Sequence, residues 1–162
     1  HLPVSFYKSF SDLPDYNSYA MAGRTYRYFD KEVQYPFGFG LSYTTFGYNW
    51  IQKPENTKTT SDKISMQIKI DNTGNYDADE VSQVYIEYPN VDRMPLKELK
   101  AFKRTSITKG KSQIVTLEIP LQELQKWDDT KKQFKIYEGK YNVKIGSNSR
   151  DAMLETSFEI VK

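Results

Sequence analysis

From residue 64 onward, apolar and polar positions alternate in short runs. Ile64, Met66, Ile68 and Ile70 are separated by Ser65, Gln67 and Lys69, a period of two that predicts a half-buried strand. Asp71-Asn72-Thr73-Gly74-Asn75 closes it as a turn. A second strand is expected from Glu80 to Tyr88, with Val84, Ile86 and Tyr88 on one face and Val81 slightly out of phase; Pro89 and Pro95 end it. Leu99 to Ile107 reads as a third, weaker strand, followed by a hairpin-like turn at Lys109-Gly110-Lys111. Val115, Leu117 and Ile119 alternate until Pro120 stops the pairing. Leu121 to Asp128 predicts one helical turn or a loop that packs Leu124 and Trp127. Phe134 and Ile136 start a short strand, with Phe134 inward. Tyr141, Val143 and Ile145 form the next after a turn at Glu138-Gly139, and Met153 to Val161 the last, with Phe158 and Ile160 inward. About seven short strands at roughly 8–12-residue spacing predict an all-β chain folded as an antiparallel sandwich.

Residues 1–50 behave differently. They carry 15 of the 24 aromatic residues, with Pro3, Pro14 and Pro36 and four glycines, yet show no sustained period of 2 or 3.6 residues. Such a segment makes no core alone and is too aromatic for a solvated linker, so it is expected to wrap over another surface. Gln52 to Lys63 is polar and reads as a loop. We therefore divide the chain into residues 1–50, a connector, and residues 51–162, the sandwich. His1 is not a start methionine and Leu2-Pro3-Val4-Ser5-Phe6-Tyr7 reads like the interior of a strand. The expectation is an excised C-terminal portion of something longer.

Composition narrows the chemistry. The net charge is only +2, so a basic nucleic-acid-binding face is not expected. No apolar run approaches the length of a transmembrane helix. Cysteine is absent and the single histidine is residue 1, which removes thiolate chemistry, multi-histidine metal sites and histidine triads together. No cofactor or metal is expected. The carboxylate clusters Asp77, Asp79, Glu80 and Asp128, Asp129 lie in turn-rich polar sequence, where Asp serves local hydrogen bonding. Asp71, Asn72, Asn75, Asp77 and Asp79 offer hard oxygens but match no calcium-loop spacing. Gly40-Leu41-Ser42-Tyr43 is not a nucleophile elbow, and Phe37-Gly38-Phe39-Gly40 lacks the strand and Lys-Ser/Thr of a phosphate loop. Two uses of the aromatics stay open: stacking sugars, or burial against a neighbouring domain.

A long string resolves the family. Gln34-Tyr35-Pro36-Phe37-Gly38-Phe39-Gly40-Leu41-Ser42-Tyr43-Thr44-Thr45-Phe46 resembles the Y-P-F-G-x-G-L-S-Y-T-x-F signature near the C-terminus of family 3 glycoside hydrolases. Leu2-Pro3-Val4-Ser5-Phe6 is similar to their upstream L-P-V-T-F strand. Asp71-Asn72-Thr73-Gly74, the run Asp79 to Tyr85, Pro95 to Arg104, Glu138-Gly139-Lys140-Tyr141 and Gly146 to Asp151 follow their fibronectin type III-like pattern in order. Met21-Ala22-Gly23-Arg24-Thr25-Tyr26-Arg27-Tyr28-Phe29 is similar to the G-R-T-Y-R-[FY] segment of xylosidase-type members.

The resemblance implies a fibronectin type III-like (immunoglobulin-like) sandwich, preceded by an aromatic-rich segment from the end of an α/β sandwich domain. It implies retaining hydrolysis of a glycoside by a β-xylosidase, or alternatively a β-glucosidase, in the periplasm or outside the cell. Both catalytic carboxylates would lie upstream of His1, so no residue here is assigned a catalytic role. The expected partners are the upstream catalytic domains of the same polypeptide and, in the intact enzyme, an oligosaccharide; the truncated chain is expected to self-associate. Tyr35, Pro36, Phe37, Gly38, Phe39, Gly40 and Tyr43 are the expected interdomain packing residues, with Gly38 and Gly40 giving a tight path past bulky rings. Arg24, Tyr26 and Arg27 are the candidates for substrate contact, against a purely structural role in an interdomain packing cluster. A stand-alone carbohydrate-binding or adhesion module remains the competing class.

Overall fold

The structure, a computed structural model, describes residues 1–162. Two sheets face each other. Strands β3 (Phe46–Gln52), β5 (Lys63–Asn72) and β8 (Ser112–Pro120) form one, in the order β3-β5-β8. The other runs β4-β12-β11-β6-β7, from β4 (Thr57–Lys58), β6 (Ala78–Glu87), β7 (Glu98–Ile107), β11 (Gly139–Gly146) and β12 (Ala152–Val161). Every pairing in the two sheets is antiparallel except the two-residue β4 against β12. Two ribbons stand outside them: β1 (Phe6–Tyr7) with β2 (Val33–Tyr35), and β9 (Lys126–Asp128) with β10 (Gln133–Lys135). The single α-helical turn, α1, is Thr25–Tyr28.

The alternating positions do what their period predicts. Ile64, Met66, Ile68 and Ile70 of β5, Val115, Leu117 and Ile119 of β8, and Tyr141, Val143 and Ile145 of β11 interdigitate in one core with Phe158 and Ile160. Tyr141 stacks on Phe158 at 5.5 Å and 16°. One buried tie crosses between the sheets: the Tyr48 hydroxyl on β3 donates to Glu80 Oε1 on β6 at 2.6 Å. Burial raises the pKa of the Glu80 carboxyl, and the Tyr48 bond only partly opposes this. The Asn72 side chain fills its polar capacity at the end of β5. Its amide donates to the carbonyls of Tyr76 and Ile107 at 2.8 and 2.9 Å, and its oxygen accepts from the Thr44 hydroxyl at 2.7 Å.

Three expectations change. The first sandwich strand straddles the boundary drawn at residue 50, because Tyr48 and Trp50 pair with Ile70 and Ile68 of β5 and cannot be separated from the sheet. Their short alternation is hidden in the surrounding aromatic run. Leu124 packs into the core from a 3-10 turn at Leu121–Leu124, but Trp127 stays 48% exposed. Phe134 is 65% exposed rather than inward, since β10 belongs to the protruding ribbon and has no facing sheet.

Strand β6 breaks the alternation rule in an informative way. Ser82, Gln83, Val84, Tyr85 and Ile86 are all buried, so neither face of this strand meets water. Val84 and Ile86 belong to the sandwich core, whereas Gln83 and Tyr85 face outward under the N-terminal segment. The pairing of β6 with β7 shifts between Val84 and Tyr85, where Lys100 of β7 is the extra residue.

Ile68→Ala, at a fully buried site on the central strand of its sheet, should cost about 2–5 kcal/mol in urea unfolding. Ile114→Ala, on the exposed face of β8, should change stability by less than about 0.5 kcal/mol. Equal losses at the two positions would refute the register.

Candidate functional site

The N-terminal segment is bound to the sandwich along β6 and β7, and the contact is built from a few residues. Gly38 takes φ +80°, a left-handed conformation open to glycine, and a Cβ there would collide with the Gln83 amide. This closeness allows a relay. The Tyr85 hydroxyl donates to Gln83 Oε1 at 2.5 Å, and Gln83 Nε2 donates to the carbonyls of Ser147 at 2.5 Å and Gly38 at 3.4 Å. Beside it, the Ser149 N–H donates to the Phe37 carbonyl at 2.9 Å. Leu2 and residues 38–39 exchange two backbone bonds at 2.8 Å, and His1 Nδ1 lies 2.5 Å from the Gly38 oxygen. Gly40 is exposed, and a Cβ there would lie 3.1 Å from the His1 ring.

Tyr26 and Arg27 take part in the same anchorage. The Tyr26 ring stacks on Phe37 at 4.3 Å and meets Tyr85 edge-on at 5.8 Å. Its hydroxyl accepts the Leu99 N–H at 3.1 Å, and the Arg27 carbonyl accepts the Leu96 N–H at 2.7 Å. Thus α1 is tied by two hydrogen bonds to the start of β7 and to Leu96 just before it. Arg24 instead ties a loop: its guanidinium donates to the backbone carbonyls of Asp15, Ser18 and Ala20 at 3.0, 2.8 and 3.1 Å. Of the residues expected to pack between domains, Pro36 and Gly38 are buried and Phe37 and Phe39 half-buried. Tyr35 leans on Phe39 and Phe6 at 5.1 and 6.1 Å, on the outward side. Tyr43 does not pack on the sandwich at all; it is 93% exposed, as Tyr16 and Tyr19 are at 96% and 99%.

A buried carboxylate stands where this anchorage meets the sandwich. Glu98, 5% exposed, accepts from the Tyr88 hydroxyl at 2.6 Å and pairs with Lys126 Nζ, with Lys100 Nζ at 3.1 Å and with the Arg27 guanidinium at 3.7 Å. Burial alone would raise its pKa. The bonds from Lys126 and Tyr88 and the Lys100 charge outweigh it and hold the group down at about 2. Neighbouring Lys97 has its pKa lowered by burial and donates to the Ser149 carbonyl. Gln83 and Glu98 escaped the sequence reading, whereas Tyr85 sits at a strand position expected to be inward and is buried; the signal for Gln83 was the missing polar alternation in Val81-Ser82-Gln83-Val84-Tyr85-Ile86.

The acidic clusters are consumed locally. Asp79 pairs with Arg104 at 2.5 Å and accepts from Ser106; Asp77 accepts the Lys109 N–H at 2.7 Å; Asp71 pairs with Lys69 at 2.8 Å and accepts from Ser112. No three His, Asp or Glu side chains converge as a metal site would need.

Glu98 gives the anchorage a pH dependence. A carboxyl held below its free value of 4.5 stabilises the fold fully above that pH, and the contribution is lost as pH falls from 4.5 toward 2. After discounting for water around Arg27 and Lys126, it is worth about 2 kcal/mol. Glu98→Gln should therefore lower stability at pH 7 and flatten its decline between pH 4.5 and 2. An unchanged acid limb in the variant would refute the role given to Glu98.

Comparison with known proteins agrees with this geometry. The fibronectin type III-like domain family matches residues 80–149. The chain is 38% identical over 154 residues to a xylan 1,4-beta-xylosidase of Xylanibacter ruminicola, covering 95% of the chain and 18% of that protein. It is 32% identical to the periplasmic beta-glucosidase of Salmonella typhimurium, covering 99% of the chain and 22% of that protein. Among solved structures it superposes on the family 3 beta-glucosidase of Bifidobacterium adolescentis with a TM-score of 0.80 at 26% identity, over 96% of this chain and 25% of that one. The chain thus spans about a fifth of the length of the curated relatives it matches. By sequence and by fold it belongs to the family 3 glycoside hydrolases, as a C-terminal portion that includes their fibronectin type III-like domain.

Proposed function

We propose that this chain is the non-catalytic part of a retaining, exo-acting family 3 glycoside hydrolase of the β-xylosidase type, acting on plant-type oligosaccharides. The sandwich serves as a rigid base, and residues 1–45 are the strap by which the catalytic domains are held against it. The observation that carries this reading is the division within the strap. Phe37, Gly38 and Tyr26 are locked onto β6 and β7, while Phe10, Tyr16, Tyr19, Leu41 and Tyr43 turn large apolar surfaces to solvent. Burying one such ring is worth roughly 2–3 kcal/mol, so a neighbouring domain has ample surface to grip. In isolation the same surface invites self-association.

The Met21–Phe29 segment and the similarity to a xylan 1,4-beta-xylosidase favour xylosides. A β-glucosidase is the second reading, supported by the beta-glucosidases among the relatives and structural neighbours. The similarity to a periplasmic enzyme supports a periplasmic or secreted location. Retaining chemistry needs two carboxylates about 5–5.5 Å apart, and in this reading both come from the remainder of the polypeptide. For Arg24, Tyr26 and Arg27, the bonds to backbone carbonyls and amides support a role in holding the strap rather than in touching sugar.

Nitrophenyl xyloside, glucoside and arabinoside should not be turned over by the isolated chain above the solvent background. Turnover abolished by one Asp or Glu substitution within residues 1–162 would overturn the assignment. Arg24→Ala should lower the melting temperature of this chain by several degrees, corresponding to about 1–2 kcal/mol, and leave the KM of the full-length enzyme unchanged. A raised KM at unchanged melting temperature would instead place Arg24 at the substrate.

A further inference from the structure

The ribbon of β9 and β10 stands off the sandwich and shelters a groove of about 560 Å³, within the roughly 300–1,000 Å³ range of small-ligand sites. Its walls come from three separate stretches: Tyr28 of the strap, Arg93 in the loop between β6 and β7, and Trp127, Asp129 and Tyr137 around the ribbon. Trp127 leaves about half its surface to solvent. Phe134 backs it edge-on at 5.3 Å and 74°, which fixes the plane of the indole, and Trp127 Nε1 donates to Asp129 Oδ1 at 3.1 Å. An aromatic plane so braced costs little entropy to occupy.

The charges in the groove are paired except for Asp92, which also lines it and is in no ion pair. Arg93 pairs with Asp129 at 2.6 Å, Lys126 pairs with Glu98, and Asp128 pairs with Lys135 at 2.6 Å. An anion gains nothing from such a surface. A neutral polyhydroxylated ring does gain, because its apolar C–H face covers the indole while its hydroxyls donate to the Asp129 carboxylate and accept from the Arg93 guanidinium. Arg93 holds this position with φ +64°, and Lys132 at the ribbon turn has φ +51°. Non-glycine residues in this conformation carry local strain that the surroundings must sustain.

We propose that this groove is a carbohydrate site that takes a neutral pyranose chain with one ring laid on Trp127. The inference does not depend on where the catalytic carboxylates lie. It concerns this chain alone and stands whether the enzyme is a xylosidase or a glucosidase.

Affinity electrophoresis of the chain in native gels containing soluble β-1,4-xylan tests it. Migration should be retarded, Trp127→Ala should weaken the retardation about fivefold or more, Asp129→Asn should weaken it as well, and Phe102→Ala, at an exposed aromatic on β7, should leave it unchanged. Fluorescence guards against a folding artefact: in a Trp50→Phe background, xylohexaose should shift the emission of Trp127 to shorter wavelength. No retardation in xylan, equal retardation of wild type and Trp127→Ala, equal retardation in polygalacturonate, or an unmoved Trp127 emission would each overturn the proposal.

Discussion

The rest of the molecule hangs on the close approach of Gly38 to Gln83. A glycine with φ +80° brings the strap's backbone against the outer face of β6, and the space left by its missing side chain holds the Gln83 amide. That amide is polar, buried and on the wrong face for the core, so it must find partners or cost stability. It finds them on both sides at once: the Tyr85 hydroxyl behind it, and the carbonyls of Gly38 and Ser147 before it. One side chain thereby joins the strap, β6 and the loop after β11. With that point fixed, Phe37 lies under Tyr26 and α1 lies along β7.

Glu98 plays the matching electrostatic part. It is taken out of water beneath Arg27, and Lys126, Lys100 and the Tyr88 hydroxyl compensate for the loss of hydration. Removing one partner would leave charge buried without compensation, so the cluster fixes how strap and sandwich meet. Beyond this anchored zone the strap carries aromatic surface that nothing in the chain covers.

Much of the sandwich was legible because water touches one face of most of its strands. Ile64 to Ile70, Val115 to Ile119 and Tyr141 to Ile145 alternate for that reason, and all their apolar members are buried. Legibility failed where a strand has two dry faces or none. β6 is covered by core on one side and strap on the other, so Gln83 sits where alternation expects a solvent-facing residue although it is the anchor. The β9–β10 ribbon is covered on neither side, so Trp127 and Phe134 read as core although they face solvent. The strap itself has no period, since its turns are fixed by single contacts such as Arg24 on three carbonyls. The long signature from Gln34 to Phe46 identified the family where periodicity was silent, but it did not separate Phe37, which docks, from Tyr43, which does not.

Hydrogen–deuterium exchange of the chain, read amide by amide, tests most directly whether the strap is locked to the sandwich. The N–H groups of Gly38, Leu96, Leu99 and Ser149, whose acceptors join strap to sandwich or strap to strap, should be protected nearly as well as the core amides of β6. Amides around Tyr16 and Tyr19 should exchange close to the free-chain rate. If Gly38, Leu96, Leu99 and Ser149 exchanged as fast as Tyr16 and Tyr19 while β6 stayed protected, the strap would not be anchored and the account would fail.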